Sequence, residues 1–552
     1  MTVIRHFRQI VLWPLQLMPL KPGAPVQRHW EALEQLGEHN PWHEVSEEFG
    51  ADPQDFRERH YKHFITFLPY VQRFLHGASV GQETPSRHGE ASMRVFRRED
   101  IFSARIVYDD EAAETFHVPH VDLYFFLDAD VAILVVELNA NNIELERAQD
   151  TLFRFGRAYP AWWSSAGDGG NCPKRVEWLD AEGKMLAASD FEQKANYLTH
   201  VAKYRSPYLA SHWQFLLKPL ALEYPGQTAL LRYRQLEYYR MPLMAYLALD
   251  DPAELTRADF VRLGLVTRPG PRDTLPYSAR SLATFEEEYC DDRFWGRDGE
   301  NFSGDARLIC TGSMLAVVGR HGDLFFDGRE TGMLGQFRHQ YFLLFLIAHF
   351  HKAALLSMSD ELAVAMNRLE VGDSEAVRRF KRTIRQSMEA FLRFTHRYWF
   401  HEVSNQELSR SIFSKLSRHL RNDDLYKEVH DEVADMNGYL DTDSTRRQAN
   451  TILRLTVVTI FGLIGTVATG FLGMNLLAAA NEPLLWRVLL FLVILGITGA
   501  VTLYMVVKSK VLADFLDALS DERVAWREKW RTLTRRRKPA PPLQPPRTGN
   551  GQ

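Results

Sequence analysis

The chain has 552 residues, of which 45% are hydrophobic and 25% charged, with a formal net charge of -4. That length admits several domains, and the near-balanced charge points to no polyanionic partner such as nucleic acid. A mean hydropathy of -0.27 confines any membrane-embedded part to a minor share of the chain. The cysteines Cys172, Cys290 and Cys310 are isolated and odd in number. They form neither a disulfide framework nor a CxxC zinc motif, and they suit a reducing compartment.

The opening stretch, MTVIRHFRQIVLWPLQLMPL, does not follow the pattern of a secretory signal. Pro14 interrupts its apolar run and no small-residue cleavage site follows. The expectation is therefore a cytoplasmic location for everything before the C-terminal hairpin described below. Residues 1–330 read as a layered α/β domain. Met93 to Arg98, Ala104 to Tyr108, Phe116 to Leu127 (broken at Pro119) and Val131 to Leu138 carry strand patterns. Asn141 or Asn142 is the expected cap of a helix bearing Leu145, Leu152 and Phe155. Gln227 to Leu249 reads as helical. SMLAVVGRHGDLFFDG reads as a hairpin turning over Gly319 to Gly322.

His117 and His120, with Asp122, Asp128 and Asp130 nearby, raise the question of a metal site. No further ligand follows at zinc spacing, so a plain strand is the preferred reading.

Residues 331–450 turn to helix. Tyr341 to Phe350 is too short to span a bilayer and reads as the buried part of a long helix. Asp373 or Ser374 can cap a helix carrying Arg378, Arg379, Lys381, Arg382 and Arg385. Its aromatics Phe391, Phe394 and Tyr398 make a buried stripe, and its basic face a solvated one, in preference to a nucleic-acid surface. A second long helix begins near Asp424. Leu425, Val429, Val433, Met436 and Leu440 form a packing seam. Asp424, Glu428, Asp431 and Asp435 form an acidic ridge beside it, a solvated face by default and a cation-attracting stalk on the sharper reading. Nothing except Gly438 stops this helix before Asn475, which gives a length on the order of 75 Å at about 1.5 Å per residue.

Residues 451–510 hold two apolar spans, Leu455 to Leu472 and Val488 to Val507, each close to the roughly 20 residues a membrane helix needs. Arg446, Arg447 and Arg454 precede them, and Lys508 and Lys510 follow. The positive-inside bias puts both termini in the cytoplasm. The second span is bulky and suits lipid. The first carries Thr459, Gly462, Thr466, Gly470 and Gly473 along one face, which permits close packing or lines a wet path. One hairpin cannot enclose a pore, but a ring of identical first spans could. Asn475 would then place a ring of amide oxygens at the outer mouth, suited to a cation that keeps its water shell. Leu455 and Leu463 share that face and could form dewetting constrictions. Residues 511–552 read as an amphipathic helix and a basic, Pro-rich tail.

Gly473-Met474-Asn475, closing the first of two C-terminal spans after a long helix, resembles the GMN signature of the CorA-type magnesium transporters. The resemblance is specific over about Asp424 to Lys510. It implies an α+β cytoplasmic domain, long stalk helices and a two-helix transmembrane hairpin, assembled as a funnel-shaped homopentamer. It further implies a selectivity entrance at Gly473, Met474 and Asn475, and a pore lined by Leu455, Thr459, Leu463, Thr466 and Gly470. The cargo would be Mg²⁺ or another divalent cation, which would also serve as a regulatory ligand. No covalent cofactor is implied. This sequence has Leu472 where the family usually has an aromatic. It has Asn481-Glu482-Pro483 in place of an MPE-type connection, with Glu482 as the acidic group of the outer loop. The ion therefore stays open between Mg²⁺ and Zn²⁺ or another transition metal. An inner or plasma membrane location follows from the same reading. The reading from another class is a membrane-tethered cytoplasmic scaffold without transport. No P-loop, nucleophile elbow or metalloprotease motif supports an enzyme.

Overall fold

The computed structural model describes residues 2–20, 26, 28–35, 37, 40–45, 65–76, 92–236, 240–272, 274–296, 305–367 and 374–473, with scattered positions between 483 and 504. The chain divides into two compact units, Met1–Ala434 and Asp435–Gln552.

The first unit is mixed α/β and is built on one large sheet. Its central strand is the N-terminal stretch, Val3–Leu17. This strand pairs antiparallel with Val131–Glu144 along nearly its whole length. On its other side it pairs first with Leu243–Leu249, over Ile4 to Val11, and then with Arg232–Gln235, over Leu15 to Leu17. Pro14, which has no N–H to donate, falls where one of those neighbours has ended and the next has not begun.

From this centre the sheet extends one way through Leu243–Leu249, Met314–Arg320, Ala306–Cys310 and Cys290–Phe294. The other way it runs through Val131–Glu144, Ala113–His117, Ser103–Val107, Arg175–Leu179 and Met185–Ala188. A branch leaves Val131–Glu144 through Val121–Phe126 and Met93–Arg98 to Trp42–Glu44. Leu243–Leu249 and Met314–Arg320 are parallel.

Side chains alternate between the two faces of a strand, so the central strands feed two cores. Phe7, Val11, Trp13, Leu123 and Phe125 join one apolar cluster with Leu152, Phe155, Trp213 and Phe260. The opposite face meets the helix Phe342–Asn367. Phe126 stacks on Phe350 with ring centroids 3.9 Å apart, and Tyr124 lies 5.9 Å from Phe342. That double coverage explains the unbroken apolar run LMAYLAL and the run VDLYFF, apolar except for the Arg97-paired Asp122, both buried at every position.

The helical stretch Met333–Asn367 is long and apolar enough to cross a membrane by length and composition, yet 78% of its apolar window is buried within the chain. It is the core helix expected from Tyr341 to Phe350. The helices Ser374–Arg397 and Glu407–Leu420 pack beside it.

Three expectations are corrected. Gln227 to Leu249 is not helical: it holds the strands Arg232–Gln235 and Leu243–Leu249, because the central strand pairs with both stretches. Met314–Arg320 does not fold back as a hairpin. It sits between two strands already in place and leads into a short helix, Leu324–Asp327. Neither Asn141 nor Asn142 caps a helix. Both stay in the strand Val131–Glu144, with Asn142 at φ 57, and the helix Leu145–Arg154 starts after Glu144. The central strand's length draws the pairing past the two asparagines, since Val3 and Ile4 still have Glu144 and Ile143 as partners.

Candidate functional site

The helix expected from Asp424 begins at Asn422 and runs without interruption to Gly473, 52 residues. Its length is about 78 Å at about 1.5 Å per residue. The preceding helix ends where Arg421 turns left-handed, at φ 57. Asp423 and Asp424 then fill the first turn, where negative charge complements the helix dipole. Asn422 is fully buried, and its Nδ2 donates to the Ala348 carbonyl of the core helix at 3.0 Å. Val429 and Val433 are buried, as the seam requires. Tyr426 stacks on Trp399 with centroids 4.6 Å apart.

The acidic ridge beside the seam stays exposed. Asp424 pairs with Arg421 at 2.9 Å, and Asp431 lies 3.2 Å from His430 Nδ1. Glu428 and Asp435 are exposed. Among the described residues no three His, Cys, Asp or Glu side chains converge to hold a metal ion. The ridge is therefore a line of solvated carboxylates within one chain.

In the second unit, the predicted pore face lies on the helix ending at Gly473. Leu455, Thr459, Leu463, Thr466 and Gly470 are all exposed in the single chain. Leu455 and Leu463 are 67% and 64% exposed. Gly465 is buried, and Val458 and Thr469 are half-buried. A Cβ added at Gly462 or Gly470 would meet nothing within 4 Å, so contacts among the described residues do not require those glycines. Thr459 Oγ1 donates to the Leu455 carbonyl at 2.8 Å, and Thr466 Oγ1 to the Gly462 carbonyl at 2.9 Å. With its proton committed to the backbone, each hydroxyl oxygen offers lone pairs outward. Met474, Asn475 and Glu482 lie outside the described residues. Beyond them Leu485, Trp486, Leu492 and Ile497 expose apolar side chains.

Among the described residues the His117–His120 region carries no metal cluster. His117 is exposed and packs edge-on to Phe102. Burial and the guanidinium groups of Arg97, Arg338 and Arg8 push the His120 imidazole down to about 3. Asp122 is occupied by Arg97, with two contacts at 2.7 and 2.8 Å, and the Arg8 guanidinium pairs with Glu137. A cation would meet three arginines there. The three cysteines are buried and unpaired, and burial raises their thiols to about 11 for Cys290 and about 12 for Cys172 and Cys310.

Sequence reasoning missed Asn422 as the anchor of the long helix. The available signal was an asparagine directly ahead of Asp423-Asp424, but its burial depends on the distant Ala348. No protein-family model matches the chain, and no curated protein matches it.

Proposed function

We propose that the chain forms a homo-oligomeric conduit for divalent cations, with Mg²⁺ as the favoured cargo and first spans lining the pore. The observation that carries this reading is the helix Asn422–Gly473. It joins an exposed acidic stretch to an exposed face of hydroxyl and glycine positions that nothing among the described residues fills. A tether needs apolar length alone. Outward lone pairs at Thr459 and Thr466, and unfilled space over Gly462 and Gly470, suit a neighbouring helix and a hydrated cation. Gly473, Met474 and Asn475 then form the selectivity entrance, as in the CorA-type proteins the hairpin resembles. The spans lie in an inner or plasma membrane with both termini in the cytoplasm, and the membrane potential draws the cation inward.

Proteoliposomes test this directly. Parent chain should take up Mg²⁺, and Asn475→Ala should change the ratio of Mg²⁺ to Zn²⁺ uptake. A parent that moves Zn²⁺ but not Mg²⁺ assigns the pore to a transition metal. A parent that moves neither leaves the hairpin as a tether and overturns transport. A native mass in detergent below that of a ring also removes the pore described.

A further inference from the structure

The helix Ser374–Arg397 carries a basic stripe that no acidic side chain among the described residues answers. Phe380, Ile384, Phe391 and Phe394 are buried on one side. On the opposite side Arg378, Arg382 and Arg385 are exposed, with Glu389 and Arg393 further along the same face. Among the described residues no salt bridge engages Arg378, Arg382 or Arg385, whereas Arg397 of the same helix pairs with Asp128 at 2.8 Å. A solvated helix face needs no such concentration of one sign. Three arginines within three turns repel one another until an acidic surface meets them.

The acidic surface on the page has the same spacing. Arg378, Arg382 and Arg385 step by four and three residues, and so do Asp424, Glu428 and Asp431. Each set spans about 10 Å along its helix. Within one chain the two helices meet through other side chains. Phe391 lies 5.4 Å from the Tyr426 ring and 6.1 Å from His430, and Thr395 Oγ1 is 3.4 Å from the Tyr426 hydroxyl. Both charged faces therefore point away from that contact. The exposed Arg421–Asp424 pair costs little to give up.

We infer that the basic stripe Arg378–Arg382–Arg385 docks on the acidic ridge Asp424–Glu428–Asp431 of a second copy of this chain. The two faces differ, so the contact is heterologous, and repetition around an axis closes a ring. The inference rests on the homo-oligomeric reading above and identifies the surface that assembles it. It also gives the ridge a role other than holding metal, in keeping with the lack of a converging ligand set among the described residues.

The test uses the full chain in detergent with a zero-length carbodiimide, which joins an amine to a touching carboxylate. Arg382→Lys keeps the charge and adds a reactive amine. Linked dimers should appear on denaturing gels, with position 382 joined to Asp424, Glu428 or Asp431 by peptide mass analysis. Glu428→Gln with Asp431→Asn should lower that product at least tenfold. Absence of the link in a chain whose native mass is oligomeric overturns the contact and leaves the oligomer standing. A monomeric native mass overturns the oligomer itself. Charge reversal of the three arginines that abolishes adsorption to phosphatidylglycerol vesicles, with no interchain link found in Arg382→Lys, assigns the stripe to lipid and overturns the contact.

Discussion

Glu361 gives the sharpest test of the first unit's electrostatics. It lies near the end of the core helix Phe342–Asn367, half-buried, with Asp130 and Asp360 close by. Arg234 is the cation within reach, but it is held by Asp360 at 2.5 Å. Burial first, then the Asp130 and Asp360 charges, push the Glu361 carboxyl up from 4.5 to about 7. A carboxyl raised on folding binds its proton more tightly in the folded state. Stability therefore falls as pH rises from the unfolded value toward the folded one, and it levels off above that. The shift corresponds to at most about 3.5 kcal/mol, at about 1.4 kcal/mol per unit. Glu361→Gln removes the ionisation and keeps the shape. The thermal midpoint of the full chain in detergent should match the parent near pH 4.5. It should rise above the parent between about pH 5 and 7, and the gap should then stay constant. Parallel curves from pH 5 to 8 would refute the crowding of Glu361 by its acidic neighbours.

Four further outcomes are expected. Asp122→Ala strips Arg97 of its two-point partner, whose side chain is only 5% exposed. Denaturant unfolding should show a loss of about 3–5 kcal/mol, with Asp122→Asn losing less. Gly319→Ala drives a Cβ into the Phe326 ring and should cost about 1–3 kcal/mol in the same assay, part of which Phe326→Leu restores. Thr459→Val with Thr466→Val removes two outward acceptors with little change of shape. Cation uptake should fall while native mass holds, and unchanged uptake would take these hydroxyls out of conduction. Iodoacetamide at neutral pH should leave Cys172, Cys290 and Cys310 unmodified in the native chain and label all three after unfolding, since burial suppresses each thiolate.

Local pattern carried far where a segment's environment is set by its own neighbours. Met93 to Arg98, the stretch around Val131 and the apolar run Tyr341 to Phe350 all took the form their periodicity indicated. So did the seam residues Val429 and Val433. Each of these depends on burying one face or a whole short run, and that preference is written in the side chains. Leu455, Thr459, Leu463, Thr466 and Gly470 share one side of any α-helix whatever surrounds it, and all five are exposed on the helix that forms there.

Tertiary structure decided the rest. MTVIRHFRQIVLWPLQL became the central strand because Val131–Glu144 and Leu243–Leu249 supply partners from far along the chain. The same pairing turned Leu243 to Leu249 from an expected helix into a strand. It also carried Asn141 and Asn142 past the point where either would have capped a helix. An apolar run such as LMAYLAL suits a helix or a doubly covered strand about equally well, and only the sheet chooses between them. Likewise, Asn422 became an anchor because the Ala348 carbonyl waits beneath it. The sequence by itself determined which residues want burial and which helix faces are charged. The fold determined which distant surfaces meet, because hydrogen-bond partners and packing neighbours are properties of the whole chain rather than of any window along it.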